Sequence, residues 1–123
     1  AKREIPAPQG VNGITFAQGR MFAVSWDLHE VYEVYPIGGK DPRPFRLAGN
    51  FTNLDGIEVL ADGTFIVSDF MGNRVSAITP DGKTVYTLVE LESHADIGID
   101  RQSMTLYVPQ FYADKVVLFR LFR

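Results

Sequence analysis

Three oxygen-bearing side chains stand at corresponding places in three similar stretches of the sequence. Asn12 precedes Asp55 by 43 residues and Asp55 precedes Asp96 by 41, each just before or at the start of an apolar, β-rich run. Carboxylate and amide oxygens are the ligands of hard cations such as Ca²⁺, which take about six to eight of them. If the three starts converge, the sequence predicts a divalent-cation site, most simply for Ca²⁺, with Asn12, Asp55 and Asp96 as ligands.

The same residues suggest a hydrolytic reaction. A bound cation polarises an ester carbonyl and lowers the pKa of a bound water, and a neighbouring carboxylate can then accept the proton. Asp55 and Asp96 are therefore candidate catalytic residues for the hydrolysis of a lactone or related ester. Two alternatives stay open: the ion or the polar side chains organise the channel without turnover, or Asn12-Gly13 and Asp55-Gly56 are ordinary turns, since both pairs tolerate positive φ.

The elements that must position these residues belong to an internal repeat. The stretch from Asp55 to Val75 aligns without gaps on the stretch from Asp96 to Val116, and Asn12 to Val31 follows the same pattern with one deletion. Three copies of a unit of about 40 to 45 residues indicate propeller blades. Equivalent positions of propeller blades converge on the channel axis, which is why the three polar residues are expected to meet.

Each copy contains short β-rich runs separated by turn signals such as Asp62-Gly63 and Asp81-Gly82. Asp-Gly between such runs is a strong hairpin signal, and the two prolines Pro42 and Pro44 favour an edge position for the weak fourth strand of the first copy. The predicted strands are Val11 to Phe16, Met21 to Trp26, Val31 to Tyr35, Phe45 to Leu47, Ile57 to Leu60, Phe65 to Asp69, Val75 to Thr79, Val85 to Val89, Asp96 to Asp100, Thr105 to Val108 and Lys115 to Leu121.

The predicted fold class is all-β, with residues 1–123 as a single half-propeller domain of three four-stranded blades. Blade 1 spans about 11–48, blade 2 about 54–89 and blade 3 about 95–122. The third blade contains only three predicted strands, so the segment Lys2 to Pro6 is a candidate fourth strand, for its own chain or for a partner. Three blades leave two open flanks, because propellers typically close with four to eight. We expect a homodimer that closes a six-bladed ring; the alternatives are a piece of a longer chain or another oligomer.

Composition excludes several classes of partner. Hydrophobic residues make up 46% of the chain and aromatics 12%, which is too apolar for a disordered segment, yet no apolar run approaches the roughly 20 residues of a membrane span. The net charge of -3 comes with scattered basic residues, so we expect no nucleic acid as a partner. A soluble chain without targeting or transmembrane segment is predicted. The absence of cysteine excludes thiol chemistry and leaves the compartment open.

Other residues receive weaker interpretations. His29 and His94 are far apart in sequence, and without further His or Cys they favour surface or capping roles over a zinc site. Trp26, Phe70 and Phe111 follow the second strand of each copy and are expected to pack between blades. Glu58 and Arg74 could pair or line a surface. No serine-hydrolase elbow, phosphate loop or dinucleotide fingerprint is present in the sequence.

The order of these motifs resembles the gluconolactonase and regucalcin family of six-bladed propellers, also called senescence-marker-protein-like. Val11-Asn12-Gly13-Ile14-Thr15-Phe16 followed by Met21 to Trp26 is similar to the family's Asn-Gly-Leu strand pair. Leu54-Asp55-Gly56-Ile57 with the run from Ala61 to Val75 resembles the Pro-Asp-Gly blade that follows, and Ala95 to Asp100 with Leu106 to Pro109 resembles its C-terminal blades. The likeness covers nearly the whole chain but only half of a family member.

The resemblance implies a calcium or other divalent ion at the channel mouth and, in enzymatic members, lactone opening. The family's Asn ligand falls on Asn12, and its Asp ligand, also proposed as the general base, falls on Asp55. Asp96 is not among the ligands that the resemblance transfers. The family's Glu ligand and a second Asn fall in blades outside the three that match this chain, which puts both the metal and the reaction in question.

Overall fold

The computed structural model describes residues 2–92 and 94–121, and regular structure in them is almost entirely β. The prediction of an all-β fold is confirmed. The strands are β1 (Val11–Ala17), β2 (Arg20–Ser25), β3 (Glu30–Val34), β4 (Arg43–Pro44), β5 (Leu54–Val59), β6 (Phe65–Asp69), β7 (Arg74–Ile78), β8 (Val85–Glu90), β9 (Gly98–Asp100), β10 (Thr105–Gln110) and β11 (Lys115–Arg120), with one 3₁₀ turn at Ala48–Asn50.

The strands form three antiparallel sheets in simple sequential order, as propeller blades do. Blade 1 contains β1 to β4, blade 2 contains β5 to β8 and blade 3 contains β9 to β11. Glycine is needed in the two Asp-Gly turns of blade 2, where Gly63 and Gly82 have φ of +92° and +74°. The inner strands of blades 1 and 2, β1 and β5, lie side by side at the centre of the arrangement.

Two predicted strand boundaries are wrong. The fourth strand of blade 1 is Arg43–Pro44 rather than Phe45 to Leu47. The Phe45 N–H still donates to the Val31 carbonyl of β3, and its ring packs against Phe22 and Phe65. The Leu47 N–H donates instead to the buried carboxylate of Glu30, so the backbone leaves the sheet after Phe45. In blade 3 the inner strand begins at Gly98 instead of Asp96.

The N-terminal segment forms no strand in the single chain. Residues 2–8 carry no regular structure, and the Arg3 guanidinium donates to the Pro36 carbonyl at 2.7 Å, just beyond β3. Blade 3 therefore has three strands within the described residues. Completion of blade 3 by Lys2 to Pro6 of a partner stays a prediction, as does closure by homodimerisation, and the predicted end of blade 3 at residue 122 lies outside the described residues.

Two apolar clusters join the blades. Between blades 1 and 2, Phe22, Phe45 and Phe65 meet edge to face at ring-centroid distances of 4.9 to 6.0 Å, surrounded by buried aliphatic residues. Between blades 2 and 3 the fully packed residues are Ile66, Val75, Ile97, Leu106 and Val108. Burial of such side chains is the main force that holds sheets face to face.

No helix among the described residues has the length and hydropathy required to span a bilayer.

Candidate functional site

Asn12 and Asp55 occupy identical places in neighbouring inner strands. In both β1 and β5 the pairing with the next strand is interrupted by a register shift, between Val11 and Ile14 and between Leu54 and Ile57. These irregularities are β-bulges, which re-aim side chains at the end of a strand. Neither Asn12 nor Asp55 has a positive φ, so the turn interpretation of these two pairs is not the one the chain adopts.

Two glycines allow the inner segments of the three blades to approach closely. A Cβ atom on Gly13 would lie 2.4 Å from the Asp55 carbonyl oxygen, and one on Gly56 would lie 2.3 Å from Asp96 Oδ1. Any larger residue would force the blades apart, because real Cβ atoms do not come this near to other atoms. In the sequence, Gly13 follows Asn12 and Gly56 follows Asp55. Each of these two polar residues therefore stands next to the glycine at which the following blade approaches closely.

Hydrogen bonds fix the orientation of all three side chains. The Asn12 amide donates from Nδ2 to Asp55 Oδ1 at 3.3 Å, which leaves its own oxygen as an acceptor. Asp96 Oδ1 accepts from the Ile97 N–H at 2.8 Å. A hydrogen bond therefore joins Asn12 and Asp55 across blades 1 and 2, and Asp96 of blade 3 lies near enough for its charge to raise the pKa of Asp55.

The electrostatics of Asp55 differ from those of an ordinary surface carboxyl. Burial raises its pKa, and the neighbouring charge of Asp96 raises it further; the hydrogen bond from Asn12 and the proximity of His94 act in the opposite direction. Two carboxylates that repel each other in a half-buried place favour a cation or a shared proton between them. The site thus disfavours the fully ionised, uncompensated state.

Ser68, which the sequence analysis did not single out, holds the second and third blades together behind these carboxylates. Its buried hydroxyl accepts from the Gly56 N–H at 2.8 Å and donates to the Ala95 carbonyl at 2.6 Å. A serine within an apolar strand gives little signal in the sequence. Its bridging role follows from the tertiary structure, which places Gly56 and Ala95 within hydrogen-bond distance of the hydroxyl.

His94 lies close behind the site and is completely buried, contrary to the predicted surface or capping role. Neither ring nitrogen has a partner of good hydrogen-bond geometry. Burial lowers the pKa of the imidazole, partly offset by backbone groups of Ala95 and Arg74 and by the carboxylates of Asp69 and Asp55. His94 is therefore a neutral ring under ordinary conditions.

Asp69 is a second buried acid near the site, but its oxygens are occupied. They accept from the backbone N–H groups of Thr52 and Asn53 and from the Thr52 hydroxyl, and Arg74 Nη2 lies 3.7 Å away. Asp69 therefore anchors the loop that leads into β5.

The remaining predicted residues lie apart from the three polar groups. His29 contacts the Thr52 carbonyl through Nδ1. Trp26 and Phe70 pack across blades 1 and 2 with ring centroids 5.6 Å apart, whereas Phe111 is 65% exposed and meets Tyr112 edge to face. Glu58 pairs with Arg101 at 3.0 Å and not with Arg74.

Among residues 2–92 and 94–121, no group of three or more His, Cys, Asp or Glu is arranged to hold a metal ion. Asn12, Asp55 and Asp96 supply oxygen donors of the right chemistry, but only two of them are carboxylates. These three blades therefore provide about half of the six to eight oxygens that Ca²⁺ takes, and the metal assignment stays a prediction.

Known structures share this fold. The chain is similar to catalytically inactive virginiamycin B lyase from Staphylococcus aureus with quinupristin (TM-score 0.71, 16% identity, 97% of this chain and 45% of that one). It is also similar to a luciferin-regenerating enzyme (0.64, 19%, 80% and 36%) and to a candidate gluconolactonase (0.58, 20%, 81% and 35%). No family model and no curated protein sequence matches the chain.

The chain spans less than half the length of each of these structures. At such low identity the likeness shows the fold alone, and at that level the resemblance to gluconolactonase-like propellers is confirmed.

Proposed function

We propose that the chain binds a divalent cation, Ca²⁺ in the first instance, through Asn12, Asp55 and Asp96 at the mouth of a propeller channel, and hydrolyses a lactone or related ester there. The observation that carries this proposal is the convergence of these three side chains from three different blades. Asn12 Nδ2 lies 3.3 Å from Asp55 Oδ1, and the charge of Asp96 contributes to the raised pKa of Asp55.

The three side chains offer oxygen donors, the type of ligand that a hard cation prefers, but one chain supplies too few of them. Two Asn and four Asp would surround the axis if a second copy supplied the same three residues, which reaches the coordination number of Ca²⁺ without any further side chain. The repulsion that raises the pKa of Asp55 is the kind that a cation relieves.

Exposed apolar residues on both flanks support a ring of two copies. On blade 1, Ile14 and Phe16 are 52% and 64% exposed, and on blade 3, Val116 and Leu118 are 53% and 55% exposed. Contiguous exposed apolar residues commonly mark an interface. A two-fold axis along the channel would place blade 1 of one copy against blade 3 of the other, twice over.

A cation in such a site supplies Lewis acidity to an ester carbonyl and acidity to a water. The chain itself supplies the base and its orientation. Asp55 is half-buried and held by Asn12, so one of its oxygens is available to accept the proton of an attacking water. Asp96, fixed by the Ile97 N–H, is the second carboxylate within reach of that position.

The metal proposal is tested by titrating Ca²⁺ into chelator-treated protein by calorimetry. We expect at least tenfold weaker binding in Asp55→Asn and in Asp96→Asn, since each variant removes one negative ligand. Asp41→Asn, on an exposed loop of blade 1, is the matched control and should bind like the wild type. Absence of Ca²⁺ binding by the wild type would overturn the proposal.

The reaction is tested on a panel of γ- and δ-lactones by following acid release in a pH-stat with and without Ca²⁺. We expect turnover that needs the ion and falls at least a hundredfold in Asp55→Asn. Binding without turnover would favour the non-catalytic alternative, a propeller whose channel ion organises a binding surface.

Light scattering tests the ring. We expect twice the chain mass of 13.8 kDa. Phe16→Glu together with Leu118→Glu should give the single-chain mass, whereas Tyr112→Glu, at a more exposed position outside both flanks, should leave the dimer intact. A wild-type monomer would contradict the two-chain ring.

A further inference from the structure

A cleft of about 440 Å³ separates the outer parts of blades 2 and 3. Its lining is more apolar than polar: Ile66, Ala77 and Leu88 come from blade 2 and Met104, Phe119 and Leu121 from blade 3, while Asp62, Thr64 and Arg120 add polar groups. Blades 1 and 2 each have a fourth strand beyond their third, whereas no strand in the described part of the chain pairs with the outer side of β11. The cleft therefore lies at the end of β11, beside the edge at which blade 3 lacks a fourth strand.

The cleft and the edge of β11 together suit an extended peptide segment. A sheet edge offers backbone N–H and C=O groups to a new strand, and an apolar wall beside it accepts alternate side chains. The edge of β11 is six residues long, from Lys115 to Arg120. A segment of five or six residues is enough to pair along it.

The sequence repeat identifies which segment corresponds to this strand. Asn12 and Asp96 hold the same repeat position 84 residues apart, so Lys2 to Pro6 correspond to Tyr86 to Glu90. Those residues form most of β8, the fourth strand of blade 2. In the single chain the segment carries no regular structure, four of its five residues are exposed, and Arg3 bonds to Pro36 beside blade 1.

We propose that residues 2–6 of a second copy add to the outer edge of β11 as the fourth strand of blade 3, beside the cleft. This inference rests on the two-chain ring of the proposed function, in which blade 1 of the partner stands beside blade 3. Four residues separate the segment from β1 of the partner, so it reaches the edge of β11 as the chain enters that blade. The exchange is reciprocal and joins each copy to the other twice.

The pairing of β7 with β8 gives the expected register. In blade 2, Arg74 lies opposite Glu90 and Val75 opposite Val89. Transfer by the repeat places Pro6 opposite Lys115 and Ile5 opposite Val116. Pro6 then falls at the end of the new strand, where its missing N–H costs little.

The absence of cysteine makes a disulfide test unambiguous. In the double variant Ile5→Cys with Val116→Cys, mild oxidation should give a covalent dimer on a non-reducing gel, because directly opposite strand residues have Cα atoms within disulfide range. The matched control is Ile5→Cys with Tyr107→Cys. Tyr107 lies on β10, one strand further in, beyond the roughly 7 Å that a disulfide tolerates, and this pair should not cross-link.

Each outcome decides the proposal. A covalent dimer in the first variant and none in the control supports strand exchange. A monomer whose two thiols have disappeared would show pairing within one chain and overturn it. A dimer by light scattering without a cross-link would leave the ring standing and overturn the exchange alone.

A deletion of residues 2–6 gives an independent readout in case the cysteine variants fold poorly. Relative to the full chain, we expect the deletion to accelerate proteolysis within blade 3 more than within blade 1. An unchanged rate of proteolysis within blade 3 would contradict the exchange.

Discussion

The two junctions between blades are built differently. Between blades 1 and 2, eleven buried apolar residues form one continuous cluster with three phenylalanine rings at its centre. Between blades 2 and 3, five buried apolar residues are flanked by partly buried ones, and the cleft of about 440 Å³ opens beside them. Smaller cavities of about 220 and 140 Å³ open beside the first junction. The same repeat unit therefore gives a more extensively packed junction on one side than on the other.

The second junction also contains the groups that are costly to bury. His94 is fully buried without a well-formed hydrogen bond, and a buried unsatisfied polar group costs about 1–3 kcal/mol. Asp55 and Asp96 repel each other at its inner end. His94 and Asp96 thus lie at the junction with the smaller buried apolar cluster, whereas the aromatic cluster belongs to the first junction.

Phe22→Ala should have the largest effect, because it removes a ring from the centre of the first junction. Loss of a buried phenylalanine costs about 3–5 kcal/mol, and Phe22 is 2% exposed. Urea unfolding should show this loss, with Phe111→Ala as a control below about 0.5 kcal/mol, since that ring lies largely in solvent. Equal losses in the two variants would contradict the unequal burial on which the comparison rests.

Gly13→Ala should have the next largest effect. Its methyl group would meet the Asp55 carbonyl oxygen of the neighbouring blade, a backbone atom that cannot move aside. Overpacking of this kind costs about 1–3 kcal/mol. Gly49→Ala, with nothing within 4 Å of the added atom, is the matched control, and thermal unfolding of the two should differ by several degrees. An unchanged Gly13→Ala protein would refute the close approach of β1 and β5.

His94→Leu should raise the stability of the second junction by about 1 kcal/mol, because an apolar side chain of similar size removes an unsatisfied donor and acceptor. Urea midpoints of the variant and the wild type measure this. His29→Leu, on the exposed side of blade 1, should not stabilise. A marked loss of stability in His94→Leu would mean that the imidazole has a partner that compensates its burial.

The smallest expected effects are changes of stability with pH that arise from Glu33 and Asp55, and the two carboxyl groups act with opposite signs. The guanidinium of Arg20, with a smaller contribution from Arg43, holds the pKa of Glu33 below its usual value, so this stabilisation is present at neutral pH and lost as pH falls through the lowered pKa. Burial holds the pKa of Asp55 above its usual value, so its contribution is present in acid and lost as pH rises through the raised pKa.

In chelator, Glu33→Gln should therefore destabilise at pH 7 and Asp55→Asn should stabilise, each by a few tenths to about 1 kcal/mol. The Asp55→Asn difference should vanish towards pH 3, and the Glu33→Gln difference should shrink as pH falls. Urea titrations at pH 7, 5 and 3 measure them. The same sign of change in the two variants at pH 7 would contradict the contrast between these environments.

Much of the fold could be predicted because short-range sequence patterns determine the strands and turns of each blade. Alternating β-rich runs and Asp-Gly turns located most strands to within a few residues, and the repeat placed Asn12, Asp55 and Asp96 at equivalent positions before any contact was known. The prediction failed at Phe45 to Leu47, where the Phe45 ring is drawn into a core that only the packed blades create.

Sequence alone determined the class of fold, the number of blades and the three polar residues at their inner ends, since periodicity and turn chemistry act over a few residues. Tertiary structure decided how those residues meet. The bulges at Asn12 and Asp55, the glycine contacts, the bridge through Ser68, the buried ring of His94 and the cleft beside β11 all depend on atoms from other strands or other blades. No local pattern carries that information, because it arises only when one blade packs against the next.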